Sequence, residues 1–454
     1  MDRRFLFLFF FCNILLSCLY LDTGPNANTV SRALPVLSLS ASRTLAIDSF
    51  GEHTMDKSVI NGHYYSDKAP LPTFVTTGFY WTLSAIGIIH TSPQFDTAIK
   101  PALLLGDILC GSIPFIIIIF LSSRYALLNR ASSSVVISAM LVFYGSFIFI
   151  YTGTFFGHVF SGALLLGAYI ALKFHRNYFL SGIFAGAAFM SEYTVGIVFL
   201  LWPLQVWVKE HSPRNSMVFL LGVLPFALLL LLYNHLLTGN AFDLAYNHEA
   251  HKDFAAVNKV LGFSYPSGMA LVHLLFTPYR GIFFYMPMLL ILLGVVFKFK
   301  RVLADKLLSR NFLLPLALIY VLVISAHHMW WGGWCYGPRH LIPLAILLGF
   351  ETVRMLAKYP VTYLIIAPLG AIAVIITWMA KVTMNYSIPT EVNNPFAEIF
   401  SGFSKGNFNG SNLLSEYFGI NPLTAAALWL IVFLISIISF RLLYRLKIPA
   451  VGRK

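Results

Sequence analysis

Charge is what this sequence has least of. Only 11% of its 454 residues are Asp, Glu, Lys or Arg, against about 25% in an ordinary soluble protein. Hydrophobic residues make up 58%. A soluble chain this long would need charged surface over several domains, so the soluble globular, disordered and fibrous classes are excluded. Cysteine is scarce too. Cys12, Cys18 and Cys110 lie in apolar runs and Cys335 stands alone, so there is no disulfide framework and no CxxC site. No Walker-type loop is present, which argues against an ATP-driven pump. His248-Glu-Ala-His251 lacks the HExxH spacing, and His327-His328 are expected to point apart on a helix, so no metal motif exists. The net charge of +13 never gathers into a basic stripe beside stacking aromatics, which argues against nucleic acid as a partner. An integral membrane protein remains, with membrane lipids as its surroundings.

Apolar runs of bilayer-spanning length are what the sequence has in abundance. They fall near 1–21, 101–121, 134–151, 157–173, 178–191, 193–208, 217–237, 281–297, 311–328, 340–357, 361–380 and 423–441. This predicts an all-α polytopic bundle of about 12 transmembrane helices. The first run follows Arg3 and Arg4 and reads as a retained span, with a signal peptide as the alternative. The run 71–90 is read as a helix on the outer surface. With both termini in the cytoplasm, roughly 20 of the 31 basic residues then fall in short inner segments, including Lys298-Phe-Lys-Arg301. Making 71–90 a full span would turn that cluster outward.

Three outer segments are long, about 22–100, 238–280 and 381–422, and the first holds Asp22, Asp48, Glu52, Asp56, Asp67 and Asp96. Long loops between spans usually carry function. The densest chemistry is the run from Asn61 to Pro72, where His63, Tyr64 and Tyr65 precede the pair Asp67-Lys68 and a helix-starting proline. A lysine there can meet a lipid phosphate, and tyrosines suit the headgroup level. A solvated loop with an interfacial anchor is the competing reading. Trp330-Trp-Gly-Gly-Trp-Cys-Tyr336-Gly-Pro-Arg339-His340 joins two spans. Its aromatics, Trp331 and Tyr336 among them, suit a sugar or apolar wall, and Arg339 suits a forked grip on phosphate. An aromatic belt with a turn would look the same. Arg280, in Thr277-Pro-Tyr-Arg-Gly281, is placed like Arg339, and His158 follows an outer turn. Asp107 and Glu192 are acids inside apolar runs, where a charge is costly and therefore a functional candidate.

Together these motifs resemble the GT-C superfamily of membrane glycosyltransferases. Within it the chain looks most like phospholipid-carrier-dependent enzymes related to protein O-mannosyltransferases and lipid A aminoarabinose transferases. The likeness covers the order of parts along nearly the whole chain. Locally it rests on Asn28-Thr-Val-Ser-Arg32, Leu45-Ala-Ile-Asp48, the 61–70 run, Phe156-Gly-His158, Pro278-Tyr-Arg-Gly281 and Gly337-Pro-Arg339. The resemblance implies a GT-C-like catalytic module over 1–380, with its first outer loop at about 22–100. The last outer loop, final helix and basic cytoplasmic tail then fill 381–454. It implies transfer of a sugar from a polyprenyl-phosphate donor to a hydroxyl acceptor on a glycolipid, glycan or protein. The transfer takes place on the outer face of a membrane, a bacterial inner membrane on family grounds. Tyr65, Lys68, Arg280 and Arg339 are implied at the donor phosphate. Asp48 and Asp67 are implied as general base, and His63, His158, Glu192, Trp331 and Tyr336 as substrate contacts. Many relatives carry an acid just before an arginine-containing helix. Here Asn26-Ala-Asn28 stands there, with Asp22 nearby as a further candidate base. No cofactor is expected, and a divalent ion is left open. A polytopic transporter or lipid flippase is the alternative, which would show paired broken helices and charges near mid-bilayer.

Overall fold

The apolar runs become helices because nothing else satisfies a backbone in lipid. The computed structural model describes residues 3–22, 24–90, 92, 94–129, 132–251, 262–298, 313–359, 363–408 and 412–445. The basic segment 299–310, Arg130 and the tail beyond 445 lie outside the described residues. Among the described residues six helices are long and apolar enough to cross a membrane: Phe95–Leu127, Gly157–His175, Pro213–Thr238, Arg339–Lys358, Ile366–Thr383 and Pro422–Leu443. The shorter apolar helices Arg3–Cys18, Ser133–Tyr144, Tyr178–Ser191, Val198–Glu210, Leu289–Lys298 and Leu313–Ala326 occupy the remaining predicted spans. The protein is thus an integral, multi-pass, all-α membrane protein.

Local chemistry sets the helix ends. Ser212 caps Pro213–Thr238 with its hydroxyl on the N–H of Asn215, Pro213 fills the first turn, and Gly239 closes the helix at φ +77°. That helix packs on Tyr178–Ser191 through facing glycines. A Cβ on Gly182 would lie 2.0 Å from the Phe219 carbonyl oxygen, and one on Gly222 would lie 2.2 Å from that of Phe179. Small residues at such seams let helix backbones approach in lipid. The opposite face of Pro213–Thr238 leaves Leu221, Leu224, Leu228 and Leu232 exposed, as a lipid-facing surface requires.

The segment expected as the first outer loop forms two helices and a hairpin. Helix Ala27–Ser42 is capped by the Asn26 carboxamide on the N–H groups of Asn28 and Thr29. Helix Leu71–Ala85 starts at Pro70. The two pack with the start of Phe95–Leu127 in a core of Val30, Leu34, Leu37, Tyr80, Ile99 and Leu103. The predicted surface run 71–90 is therefore a helix over 71–85 followed by a turn. Strands Ser58–Ile60 and His63–Tyr65 pair antiparallel around Asn61 and Gly62, both at positive φ. The segment read as a loop at 61–65 is thus half of a hairpin, built on the Asn-Gly turn that favours one. Another difference is at His327 and His328. The helix ends at Ala326, and both imidazoles belong to the following turn, with ring centroids 4.8 Å apart.

The helices have chemically distinct ends. Gly157–His175 carries His158 in its first turn and Lys173 in its last. Arg339–Lys358 begins at Arg339 and finishes at Arg354 and Lys358. At the basic end Lys173 and Arg354 both hold the buried Glu351, at 2.6 and 2.9 Å. The first outer loop meets the other end.

Candidate active site

Lys68 is the centre of a charged constellation where the first outer loop meets the helix ends. The hairpin ends at Tyr65, so Ser66, Asp67 and Lys68 are carried straight from its second strand towards Pro70. Lys68 Nζ lies 2.6 Å from Asp67 Oδ2 and 2.8 Å from Asp56 Oδ2. Asp67 is buried, and its other oxygen accepts from the Ser31 hydroxyl at 3.0 Å. Burial pushes Lys68 towards the neutral amine, but the two carboxylates outweigh it and hold the ammonium well above its ordinary range. Burial likewise works to raise Asp56, while Lys68, Arg339 and Arg32 hold it below the usual carboxylate range.

A second ion pair abuts this one. Arg32, on helix Ala27–Ser42, donates to Glu192 Oε1 at 3.0 Å and to the Ala69 carbonyl at 3.3 Å. His158 Nδ1 lies 3.4 Å from the same Glu192 oxygen. Burial raises Glu192 above the usual range against the pull of Arg32, Arg339 and Lys68. The His158 ring meets that of His340 edge-on at 5.7 Å. Arg339 has its guanidinium 5.6 Å over the Phe156 ring, and its buried Nε has no hydrogen-bond partner among the described residues. Arg32, Lys68 and Arg339 thus bring three cations around Asp56 and Glu192.

The other predicted residues are spread around it. Asp48 is exposed and binds His63 Nδ1 at 2.7 Å and the Tyr64 N–H at 2.6 Å. Burial works to raise it, but the Tyr64 N–H and His63 hold it below the usual range. His63 and Asp48 therefore sit together on the hairpin's exposed side. Tyr65 packs beside Tyr233 and Ile60. Arg280 is fully buried. Its three nitrogens donate to the carbonyls of Trp331 (2.9 Å), Tyr279 (2.8 Å) and Gly333 (3.2 Å), and its guanidinium lies over the Tyr279 ring. Trp331 enters through that carbonyl. Tyr336 is buried, exchanging hydrogen bonds with the Tyr151 hydroxyl and meeting Tyr285 edge-on at 4.7 Å.

Sequence reasoning left several participants unassigned. Arg32 was part of a quoted motif without a role, and Asp56 was one acid among six in the loop. Their signal was present in kind: Arg32 is a lone arginine in an apolar helix. A second buried group surrounds Asp22. Its carboxylate accepts from the Tyr386 hydroxyl at 2.5 Å, the Gly24 N–H at 3.3 Å and Asn26 Nδ2 at 3.4 Å. Burial pushes Asp22 up to about 6, against Tyr386 and Lys381. Asp107 faces it from a π-helical stretch, Asp107–Ser112, a distortion common at functional sites. Lys381 approaches the pair while donating to the Ile150 carbonyl at 2.7 Å. Among the described residues no three His, Cys, Asp or Glu side chains gather as metal ligands.

No protein-family model matches the chain, and no curated protein matches its sequence. Solved structures do match. The ArnT of Cupriavidus metallidurans bound to undecaprenyl phosphate aligns with a TM-score of 0.50 at 12% identity, over 97% of this chain and 76% of that one. Its apo state gives 0.44 and 14% over the same shares. The Archaeoglobus fulgidus oligosaccharyltransferase AglB, in complex with an inhibitory peptide and a dolichol-phosphate, gives 0.47 and 13%. That likeness covers 90% of this chain, which spans little more than half, 57%, of AglB. The chain therefore shares the fold of the undecaprenyl-phosphate-bound ArnT structure, the fold its motifs led us to expect.

Proposed function

We propose that the protein is a membrane glycosyltransferase that moves a sugar from a polyprenyl-phosphate donor to an acceptor hydroxyl on the outer face. The observation that carries this is the cluster of Arg32, Lys68 and Arg339 around Asp56 and Glu192. Lys68 is fixed between two carboxylates, and Arg339 keeps a buried nitrogen without a partner among the described residues. Those cations suit a phosphate monoester at the end of a lipid. Two of the fold neighbours were captured with such carriers, undecaprenyl phosphate and dolichol-phosphate.

The acceptor oxygen attacks the anomeric carbon, and its proton passes to an aspartate. The bond from that carbon to the phosphate oxygen breaks, and the lipid phosphate leaves with the electron pair. One direct displacement inverts the anomeric centre. Lys68 and Arg339 meet the charge that grows on the leaving oxygens. Among the acids, we assign the base to Asp22. Asp67 is held by Lys68 and Ser31, Asp56 by Lys68, and Asp48 by His63 and Tyr64. Asp22 combines burial with a pKa close to neutrality, where a general base works best. It sits beside Asn26, the position where relatives carry an acid.

Purified protein in lipid nanodiscs, given radiolabelled polyprenyl-phosphate sugars, tests this. Asp22→Asn lowers kcat about 10²–10⁴-fold. Lys68→Ala and Arg339→Ala each lower it roughly 10²–10³-fold. Asp48→Asn stays within a few-fold of wild type. Equal turnover by all variants removes the site assignment, and no turnover of any donor removes the function.

A further inference from the structure

Beside the start of helix Ala27–Ser42 lies a cavity of about 250 Å³, lined by Asn26, Glu52, His53, Thr54, Met55 and Phe95. It is smaller than the roughly 300–1,000 Å³ of pockets for drug-sized ligands, so it suits one small ring. The mechanism above uses no side chain of this cavity directly.

Its walls combine a face-to-face pair of aromatic rings, each with one outer face left by the stack, with a free carboxylate. The His53 and Phe95 rings stack at 3.7 Å with only 2° between their planes. Glu52 is exposed and makes no hydrogen bond or ion pair with any described residue. The other polar walls are already engaged. The Asn26 carboxamide caps the helix and donates to Tyr386 and Thr29. The Thr54 hydroxyl donates to the Ala27 carbonyl at 2.7 Å and accepts the Asp56 N–H at 3.1 Å. An incoming molecule therefore finds an aromatic face, a thioether and one carboxylate.

The cavity adjoins the proposed site through two of its lining residues. Asn26 Nδ2 lies 3.4 Å from Asp22 Oδ2. The Thr54 hydroxyl accepts the backbone N–H of Asp56, whose carboxylate holds Lys68. A molecule seated here is one residue removed from the assigned base.

We propose that this cavity binds the acceptor and that the acceptor is a sugar ring. A pyranose presents a C–H face that packs on an aromatic plane, and hydroxyls that donate to a carboxylate. A lipid alcohol offers no hydroxyl cluster to Glu52, and a peptide needs an extended groove. This rests on the transferase reading and deepens it. The bond changes are those given above, with the attacking oxygen now that of a sugar hydroxyl.

The test uses the full-length chain in nanodiscs with a labelled polyprenyl-phosphate sugar. The acceptor probes are octyl β-D-glucopyranoside, octyl β-D-galactopyranoside and sugarless 1-octanol, and donor hydrolysis to water is followed in parallel. Wild type prefers at least one octyl glycoside to octanol. Glu52→Gln and Phe95→Leu lower the ratio of transfer to hydrolysis for that glycoside about tenfold or more, mainly through acceptor KM. Wild type that uses octanol as well as both glycosides overturns the proposal, as do variants that keep the wild-type ratio. If the donor is not cleaved even to water, the transferase reading fails, and binding then decides the cavity. Saturation-transfer NMR with methyl β-D-glucopyranoside then shows contact in wild type that Glu52→Gln removes, and no contact in wild type overturns the proposal.

Discussion

A carboxylate that takes a proton near neutral pH cannot be an ordinary exposed aspartate, whose pKa of about 3.9 makes it a poor base. Asp22 departs from that by burial, with Tyr386, Lys381, Asp107 and Asn26 around it. The shift from 3.8 to about 6 has a stability consequence. Below both values the folded and unfolded chains hold the proton alike. As pH rises through that window the unfolded chain releases it first, so the folded state loses stability until about pH 6. A two-unit shift corresponds to roughly 3 kcal/mol. Asp22→Asn removes the penalty, so its Tm gain over wild type is larger at pH 8 than at pH 4.5, while activity is lost. A gain that is the same at both pH values contradicts the buried, raised Asp22. The activity of wild type should rise through about pH 6 and level off above it. Arg280 makes the opposite case. Its charge is spent on three backbone carbonyls, so Arg280→Lys should cost about 2 kcal/mol or more of stability, read as a lower Tm. Donor KM should change little, and a raised donor KM at unchanged Tm would place Arg280 at the phosphate instead. Asp67, Lys68 and Arg339 were legible in sequence because their chemistry is bunched in short runs. Arg32 and Asp56 were not, because only folding brings them to Lys68 from helix Ala27–Ser42 and from ahead of the hairpin.

At the scale of elements, the hairpin sets where Lys68 stands. Gly62 holds φ +83° with nothing within 4 Å of a Cβ, so Gly62→Ala tests backbone conformation alone. It should cost about 1 kcal/mol of stability and lower kcat/KM, while Gly62→Asn, better suited to positive φ, should retain more of both. Equal behaviour of the two variants would show that the turn does not position the site. Gly182 tests packing, because its neighbour is a carbonyl 2.0 Å from a Cβ and not a side chain that can turn away. Gly182→Ala should cost roughly 1–3 kcal/mol, measured as a lower Tm. A wild-type Tm would contradict the tight seam. Span positions were readable because a twenty-residue apolar run has one solution in lipid. Interruptions were not, because the breaks after Tyr144, at Asp107–Ser112 and before Leu289 depend on neighbours and leave the run apolar. The hairpin was readable from Asn61-Gly62, but two three-residue strands are too short for alternation to be seen.

The whole molecule is organised by the difference between its ends. One end gathers Lys173 and Arg354 around Glu351 and carries Lys358, and the other carries the Lys68 and Arg32 ion pairs. In the orientation we propose, the basic segments face the cytoplasm and the candidate site lies outside, where a lipid-linked donor needs no nucleotide. Topology can be read by labelling intact cells with a membrane-impermeant maleimide. Met55→Cys, exposed on the loop, should label from outside, and Lys358→Cys, exposed at the basic end, only after permeabilisation. The reverse pattern would invert the orientation. Most direct of all is single-turnover transfer of a labelled sugar from a polyprenyl phosphate, with the product's anomeric configuration read by NMR. The account predicts transfer with inversion by wild type, and about a 10²–10⁴-fold slower step in Asp22→Asn. Retention of configuration, an Asp22→Asn rate equal to wild type, or no cleavage of any such donor would contradict it.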